Sequence, residues 1–162
     1  MDSIENALGS DFIRFLNRHF SIMEIQNRVG VRWIATGALL TALAVILGAF
    51  GAHGLAPVVE TMEEPAKRMA NWETGAHYQM IHAIGLILIG ILATLYGGSR
   101  LLTGAGWLFL LGILLFSGGL YTWVLTDSLP AVLVVPLGGL SFFTGWVAIA
   151  CRFLYLMLRG ER

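Results

Sequence analysis

Few side chains in this sequence could do chemistry, and six of them sit where they could meet: His53, His77, Gln79, His82, Ser117 and Tyr121. Glu73 and Asp127 fall near the same end of the chain's apolar runs. His82 is the most informative, because Tyr78 and Gln79 precede it by four and three residues and would share its face on a helix. Three readings stay open for the group. A metal site would draw on the histidines, but His77 and His82 are five apart, about 140° around a helix axis, and cannot chelate as an i, i+4 pair. No metal or other cofactor is expected. A proton or small-solute site would use His82, whose type titrates near pH 6.5 when unperturbed, with Gln79 and Tyr121 orienting it. The third reading is a buried hydrogen-bond network that fixes helix register.

Covalent catalysis finds no support. Ser117 lies in Phe116-Ser117-Gly118-Gly119, which is not a nucleophile elbow, and the chain has neither an HExxH zinc motif nor a phosphate-binding P-loop. An enzyme is not expected. The single cysteine, Cys151, has no partner with which to build a disulfide or a cysteine metal site.

Long apolar elements must position these groups. Of 162 residues 57% are hydrophobic and 12% charged, with a mean hydropathy of +0.76, too apolar for a water-soluble domain of this size. Formal net charge is zero, which gives no reason to expect a nucleic-acid partner. Segments 33–52, 78–96, 105–125 and 131–151 contain no Asp, Glu, Lys or Arg. Each is about 20 residues long, enough to span a hydrocarbon core of about 30 Å. Trp33, Tyr78, Tyr96, Trp107, Tyr121 and Trp123 fall near their ends, where amphipathic rings favour the lipid–water boundary. The fold class expected is all-α: a four-transmembrane-helix, up-down bundle with the lipid bilayer as its partner.

Four crossings put both termini on one side. Near the membrane that side carries Arg28, Arg32, Arg100, Arg152, Arg159 and Arg162, against Lys67 and Arg68 on the other. The positive-inside rule then places both ends in the cytoplasm, in a bacterial inner membrane. Residues 53–77 form the only long loop, with room for a short surface helix, while 97–104 and 126–130 are tight turns. The domain proper is expected over 33–152, with a short cytoplasmic tail at 153–162. Residues 1–32 form an N-terminal extension. Within it, Ile4, Leu8, Phe12, Phe15, Leu16, Phe20, Ile22 and Met23 fall on one arc of a helix opposite Ser10, Arg14, Asn17, Arg18 and Ser21. This amphipathic helix is expected to lie on the cytoplasmic leaflet. Docking on a partner, or a true start at Met23, are the alternatives.

Helices in lipid need close backbone approach, and small residues permit it. Ala44, Gly48 and Ala52 are spaced by four, Gly37 with Thr41 and Ser141 with Gly145 repeat the device, and Gly112, Gly118 and Gly119 thin the third helix. Gly138 and Gly139 follow Pro136, where the fourth helix is expected to kink or to start late.

Four motifs carry a resemblance. They are Gly48-Ala-Phe-Gly-Ala-His-Gly-Leu55, Tyr78-Gln-Met-Ile-His-Ala83, Leu115-Phe-Ser-Gly-Gly-Leu-Tyr121, and Pro136-Leu-Gly-Gly-Leu-Ser-Phe142 followed by Gly145-Trp146. Over about residues 33–152 the chain resembles domain-of-unknown-function family 423, small bacterial inner-membrane proteins with eukaryotic relatives called transmembrane protein 256. The resemblance implies a four-helix membrane protein without an established activity. It marks Gly48, Gly51, His53, Gly54, Tyr78, Gln79, His82, Phe116, Ser117, Gly118, Tyr121, Pro136, Gly138, Gly139, Gly145 and Trp146. The N-terminal 30 residues depart from the family pattern, as does Gly119, where Ser is usual.

Two functions stay in view. One is a non-enzymatic accessory or scaffold component that packs against partner membrane proteins, or a second copy of itself, through its Gly-rich faces. The other is a small transport or proton-linked unit built on the polar cluster around His82. The inner halves of the helices offer only Thr36, Thr41 and Thr94 as polar side chains, too few to continue a path, which favours the first.

Overall fold

A computed structural model describes residues 2–160, with side chains for residues 28–160 other than Leu129. Its elements are α1 (Asp2–His53), a one-turn α2 (Ala56–Val59), α3 (Pro65–Tyr96), α4 (Arg100–Gly112), a π-helical turn (Ile113–Ser117), α5 (Gly118–Thr126) and α6 (Leu129–Arg159). Among the described residues there is no strand. Four stretches are long and apolar enough to cross a membrane: Arg28–His53, Pro65–Tyr96, Arg100–Thr126 and Pro130–Arg159. The third crossing is thus α4, the π turn and α5 in sequence.

Each crossing is longer than the uncharged run that marks it. Pro65 and Pro130 stand in the first turns of α3 and α6, where a proline's missing N–H and fixed φ cost nothing. Ser99 caps α4 by accepting from the Leu102 N–H at 3.2 Å. Helix α3 closes on Gly97 at φ 78°. The long loop expected over 53–77 therefore shrinks to the stretch around α2, and Arg68, Trp72 and Glu73 ride on α3. The tail expected from residue 153 is likewise helix as far as Arg159. Helix α6 runs unbroken through Pro136, so it does not start late. Backbone is helical from Asp2 without a break before His53. The amphipathic arc of residues 4–23 rests on side chains outside the described residues.

The centre of the molecule is α3. Helix α1 packs chiefly on one side of it, and the third crossing packs between α3 and α6. Leu86, Ile89, Leu102 and Phe109 are fully buried at that junction, and Val124 is fully buried nearer the other end of the third crossing. The outward faces are apolar instead of charged, with Leu39 73% and Leu133 75% exposed, as a bilayer requires and water would not tolerate over so large a surface.

The α1–α3 seam corrects the expected stripe. A Cβ on Gly48 would meet no atom within 4 Å, and Ala52 is exposed. Small residues that do touch α3 recur every seven residues: Gly30, Gly37, Ala44 and Gly51 on α1, against Gly90, Ala83 and Ala76 on α3. A Cβ on Gly37 would lie 2.6 Å from the Ala83 carbonyl oxygen, and one on Gly51 would lie 2.6 Å from Trp72 Cδ1. A seven-residue repeat stays on one face when two helices cross with a left-handed twist, whereas a four-residue repeat belongs to the right-handed crossing.

Candidate functional site

The six expected residues do not form one cluster. His82 and Gln79, three apart on α3, point about 60° from each other, and each enters a different interface.

His82 faces α6. Its ring lies flat on Phe142 with centroids 3.5 Å apart and meets the edge of Phe109 at 5.1 Å. Nδ1 is 2.8 Å from the Tyr78 carbonyl, and Trp146 Nε1 donates to Nε2 at 3.2 Å. An indole can only donate and a carbonyl can only accept, so these partners fix a neutral ring with its proton on Nδ1. Tyr78, packed on Phe116 at 4.6 Å, closes the aromatic box. Neither ring nitrogen is left over for a solute. Gln79 and Tyr121, expected to orient the ring, bond to each other instead. The partner is Trp146, because the ring points away from the third crossing's hydroxyls.

Gln79 faces α1 and α5. Its Nε2 donates to the Leu40 carbonyl at 3.1 Å, and its Oε1 accepts from the Tyr121 hydroxyl at 3.1 Å. Tyr121 reaches it across Gly75, where a Cβ would lie 2.9 Å from the phenol ring. Trp72, seven residues before Gln79, donates to the Leu47 carbonyl at 2.8 Å and packs on Tyr121 at 4.6 Å. Trp72 and Gln79 thus bind carbonyls seven apart on α1, in step with the small-residue seam. Nothing in the sequence reading singled out Trp72, since it had been placed in a loop.

His53 and His77 are exposed. His77 meets only the edge of its neighbour Tyr78 among the described ring contacts, at 6.2 Å. Ser117 is fully buried, and its hydroxyl has no hydrogen-bond partner among the described residues. It closes the π turn, in which the Gly118 N–H reaches back five residues to the Ile113 carbonyl. Phe109, Ile113, Ser117 and Tyr121 are spaced by four, which on a plain α-helix drifts about 40° per step. The wider π turn takes back part of that drift and keeps the row facing the bundle.

The expected packing glycines divide in the same way. A Cβ on Gly145 would lie 2.6 Å from Phe109, and one on Gly138 2.8 Å from Phe116 Cβ. Gly118 and Gly139 have nothing nearer than 3.8 Å, so a methyl group would fit beside them. Gly48 and Ala52 border an open cleft of about 590 Å³ between the C-terminal end of α1 and the N-terminal half of α3, floored by Ala66, Ala70 and Ala76.

Arg68 is a second group that the sequence reading passed over. It is 3% exposed. Nε donates to the Glu63 carbonyl at 2.7 Å, one terminal nitrogen to the carbonyls of Trp123 (3.2 Å) and Val124 (2.9 Å), and the other to Asp127 Oδ1 at 2.8 Å. The guanidinium also stands over the Trp123 ring at 5.0 Å. A cation thus sits on the carbonyl end of α5, where the helix dipole is negative.

Comparison with known proteins finds membrane proteins. A family described as "Protein of unknown function (DUF423)" matches residues 47–139. The UPF0382 membrane protein YwdK of Bacillus subtilis is 43% identical over 117 residues, 72% of this chain and 91% of that protein. A UPF0382 membrane protein of Staphylococcus haemolyticus is 41% identical over 72% of this chain and 90% of its own length. One from Haemophilus influenzae is 36% identical over 74% and 90%. No solved structure matches the chain.

Proposed function

This chain belongs to the DUF423 family of membrane proteins, and we propose that it acts as a non-enzymatic accessory component of the bacterial inner membrane that seats a helix of another membrane protein. The observation that carries the reading is the open cleft between α1 and α3. Gly48 and Ala52 are four apart on one wall, and Ala66 and Ala70 are four apart on the other. Small residues at that spacing let a further helix approach backbone to backbone, and nothing stands within 4 Å of a Cβ on Gly48, whereas Gly30 and Gly37 on the same helix pack tightly on α3. The arginine asymmetry supports a cytoplasmic location for both termini, with the cleft opening toward the outer leaflet.

The polar groups around His82 support the same reading. Both ring nitrogens are committed, and so are Gln79 and Tyr121. Such a network holds helices in register, and a proton-linked site would need a nitrogen free to exchange.

The test is site-specific photocrosslinking in native membranes. A photoreactive residue at Ala52 or Ala70 should give a stoichiometric adduct with one other membrane protein, and Gly48→Leu should abolish it while leaving the purified chain's thermal stability unchanged. No adduct at either position, or an adduct only with a second copy of this chain, overturns the accessory role.

A further inference from the structure

At the opposite end of the molecule two adjoining clefts, of about 430 and 540 Å³, run between α1 and α4 and share Val29, Thr103 and Trp107. They exist because α1 packs on α3 and touches the third crossing mainly through Trp33, which fills the space above Gly106 and meets Trp107 edge-on at 5.6 Å. From this space we infer a binding site for one anionic glycerophospholipid, its headgroup phosphate at the rim and one acyl chain along the cleft.

Three layers of the cleft match three layers of the lipid. The rim holds Arg32 and Arg100. Both are exposed, and neither side chain has a hydrogen bond or ion pair among the described residues. Arg100 opens α4, whose 13 residues direct their N-terminal dipole at the same point. One turn beyond each arginine along its own helix, about 4–6 Å at 1.5 Å per residue, stand Thr36 and Thr103. Thr41, Thr74, Thr94, Thr122, Thr126 and Thr144 each donate to the carbonyl four residues back. Among the described helical threonines only Thr36 and Thr103 do not, and both line this cleft. A hydroxyl in the membrane does not stay unpaired without cost, and the ester carbonyls of a lipid can accept from it. Leu110, about 10 Å beyond Thr103 along α4, gives an apolar wall for a chain, and the Trp33 ring lies between the two, over Gly106.

Acidic lipid is the occupant because, among the described residues, two cations without a partner and a helix N-terminus face it and neither lining holds a carboxylate. Each arginine near the surface of an anionic membrane is worth about 1 kcal/mol, or about fivefold in binding.

Native mass spectrometry of the purified chain, equilibrated in mixed micelles with phosphatidylglycerol or phosphatidylcholine of identical chains, tests the site. One phosphatidylglycerol should stay bound through delipidation, and phosphatidylcholine should not. Arg32→Gln with Arg100→Gln should weaken retention about 25-fold, Thr36→Val with Thr103→Val should weaken it by a smaller factor, and Arg159→Gln should leave it unchanged. Should the double arginine variant fail to fold, the wild-type preference between the two lipids still decides. Equal retention of both lipids overturns the inference. So does displacement of the bound lipid by millimolar inorganic phosphate, which would mark a soluble-anion site, and so does an equal loss in Arg159→Gln, which would mark a diffuse charge effect.

Discussion

Replacing Arg68 with methionine should destabilise the protein by about 3–4 kcal/mol, through the end of α5 and not through the ion pair. Arg68 donates four hydrogen bonds, three to main-chain carbonyls and one to Asp127. Its side chain is 4% exposed and that of Asp127 63%. A hydrogen bond from a charged donor contributes roughly 1.5–3 kcal/mol, and a buried acceptor left alone costs about 1–3. The carbonyls of Trp123 and Val124 belong to the last turn of α5; that of Trp123 also accepts from the Asp127 N–H at 2.8 Å, whereas that of Val124 lies where the helix runs out of its own donors. Methionine fills the volume and donates nothing. Water at the helix end recovers part of the loss, which brings the sum to the stated range. The carboxylate of Asp127 is hydrated with or without its partner, so Asp127→Asn should cost less than about 1 kcal/mol. Lysine, a point charge without the planar fork, should recover less than half of what methionine loses. Reversible unfolding in detergent micelles with increasing dodecyl sulfate measures all three. If Arg68→Met lay within 1 kcal/mol of wild type, or if Asp127→Asn matched it, the carbonyl-capping argument would fail.

The seam gives a second prediction: Gly37→Leu should lower detergent stability by several kcal/mol or prevent folding, whereas Gly48→Leu should not change it, and the opposite ranking would show that the four-residue stripe is the true contact. Trp146→Phe removes the indole N–H while keeping an aromatic ring, and should cost about 1–3 kcal/mol because His82 Nε2 is left without a donor; an unchanged midpoint in the same titration would deny that bond any weight. Orientation can be read in spheroplasts, where a cysteine at Glu63 should react with a membrane-impermeant maleimide and one at Arg100 should not, and the reverse labelling would invert the topology.

The four crossings were legible because charge is intolerable in hydrocarbon and its absence is visible residue by residue. That same criterion hid Arg68 and Trp72. An arginine was read as the mark of a loop, yet a guanidinium can be buried where it binds the last carbonyls of a neighbouring helix, and nothing in one sequence says that such an end lies within reach. Gln79, His82 and Tyr121 were recognisable as inward-facing. Their partners were not, because a three-residue offset on α3 separates two interfaces and the neighbour of each depends on how the helices cross. The seam was misread for a related reason. Gly48 and Ala52 look like a contact at four-residue spacing, and only the twist of the pair selects Gly30, Gly37, Ala44 and Gly51 instead. The π turn left no signal beyond a four-residue row, from Phe109 to Tyr121, that runs longer than a plain helix can keep on one face.

The seam also bears on the order of biogenesis. Its small residues, and the carbonyls of Leu40 and Leu47 that accept from Gln79 and Trp72, belong to α1 and α3 alone. All of them have been synthesised before the ribosome reaches the third crossing, and domains assemble from the N-terminal side as the chain is made. The first hairpin can therefore zip along its whole length inside the membrane while translation continues. What emerges later finds α3 already held on one side, and it needs only to lay Phe109, Phe142 and Trp146 against the other.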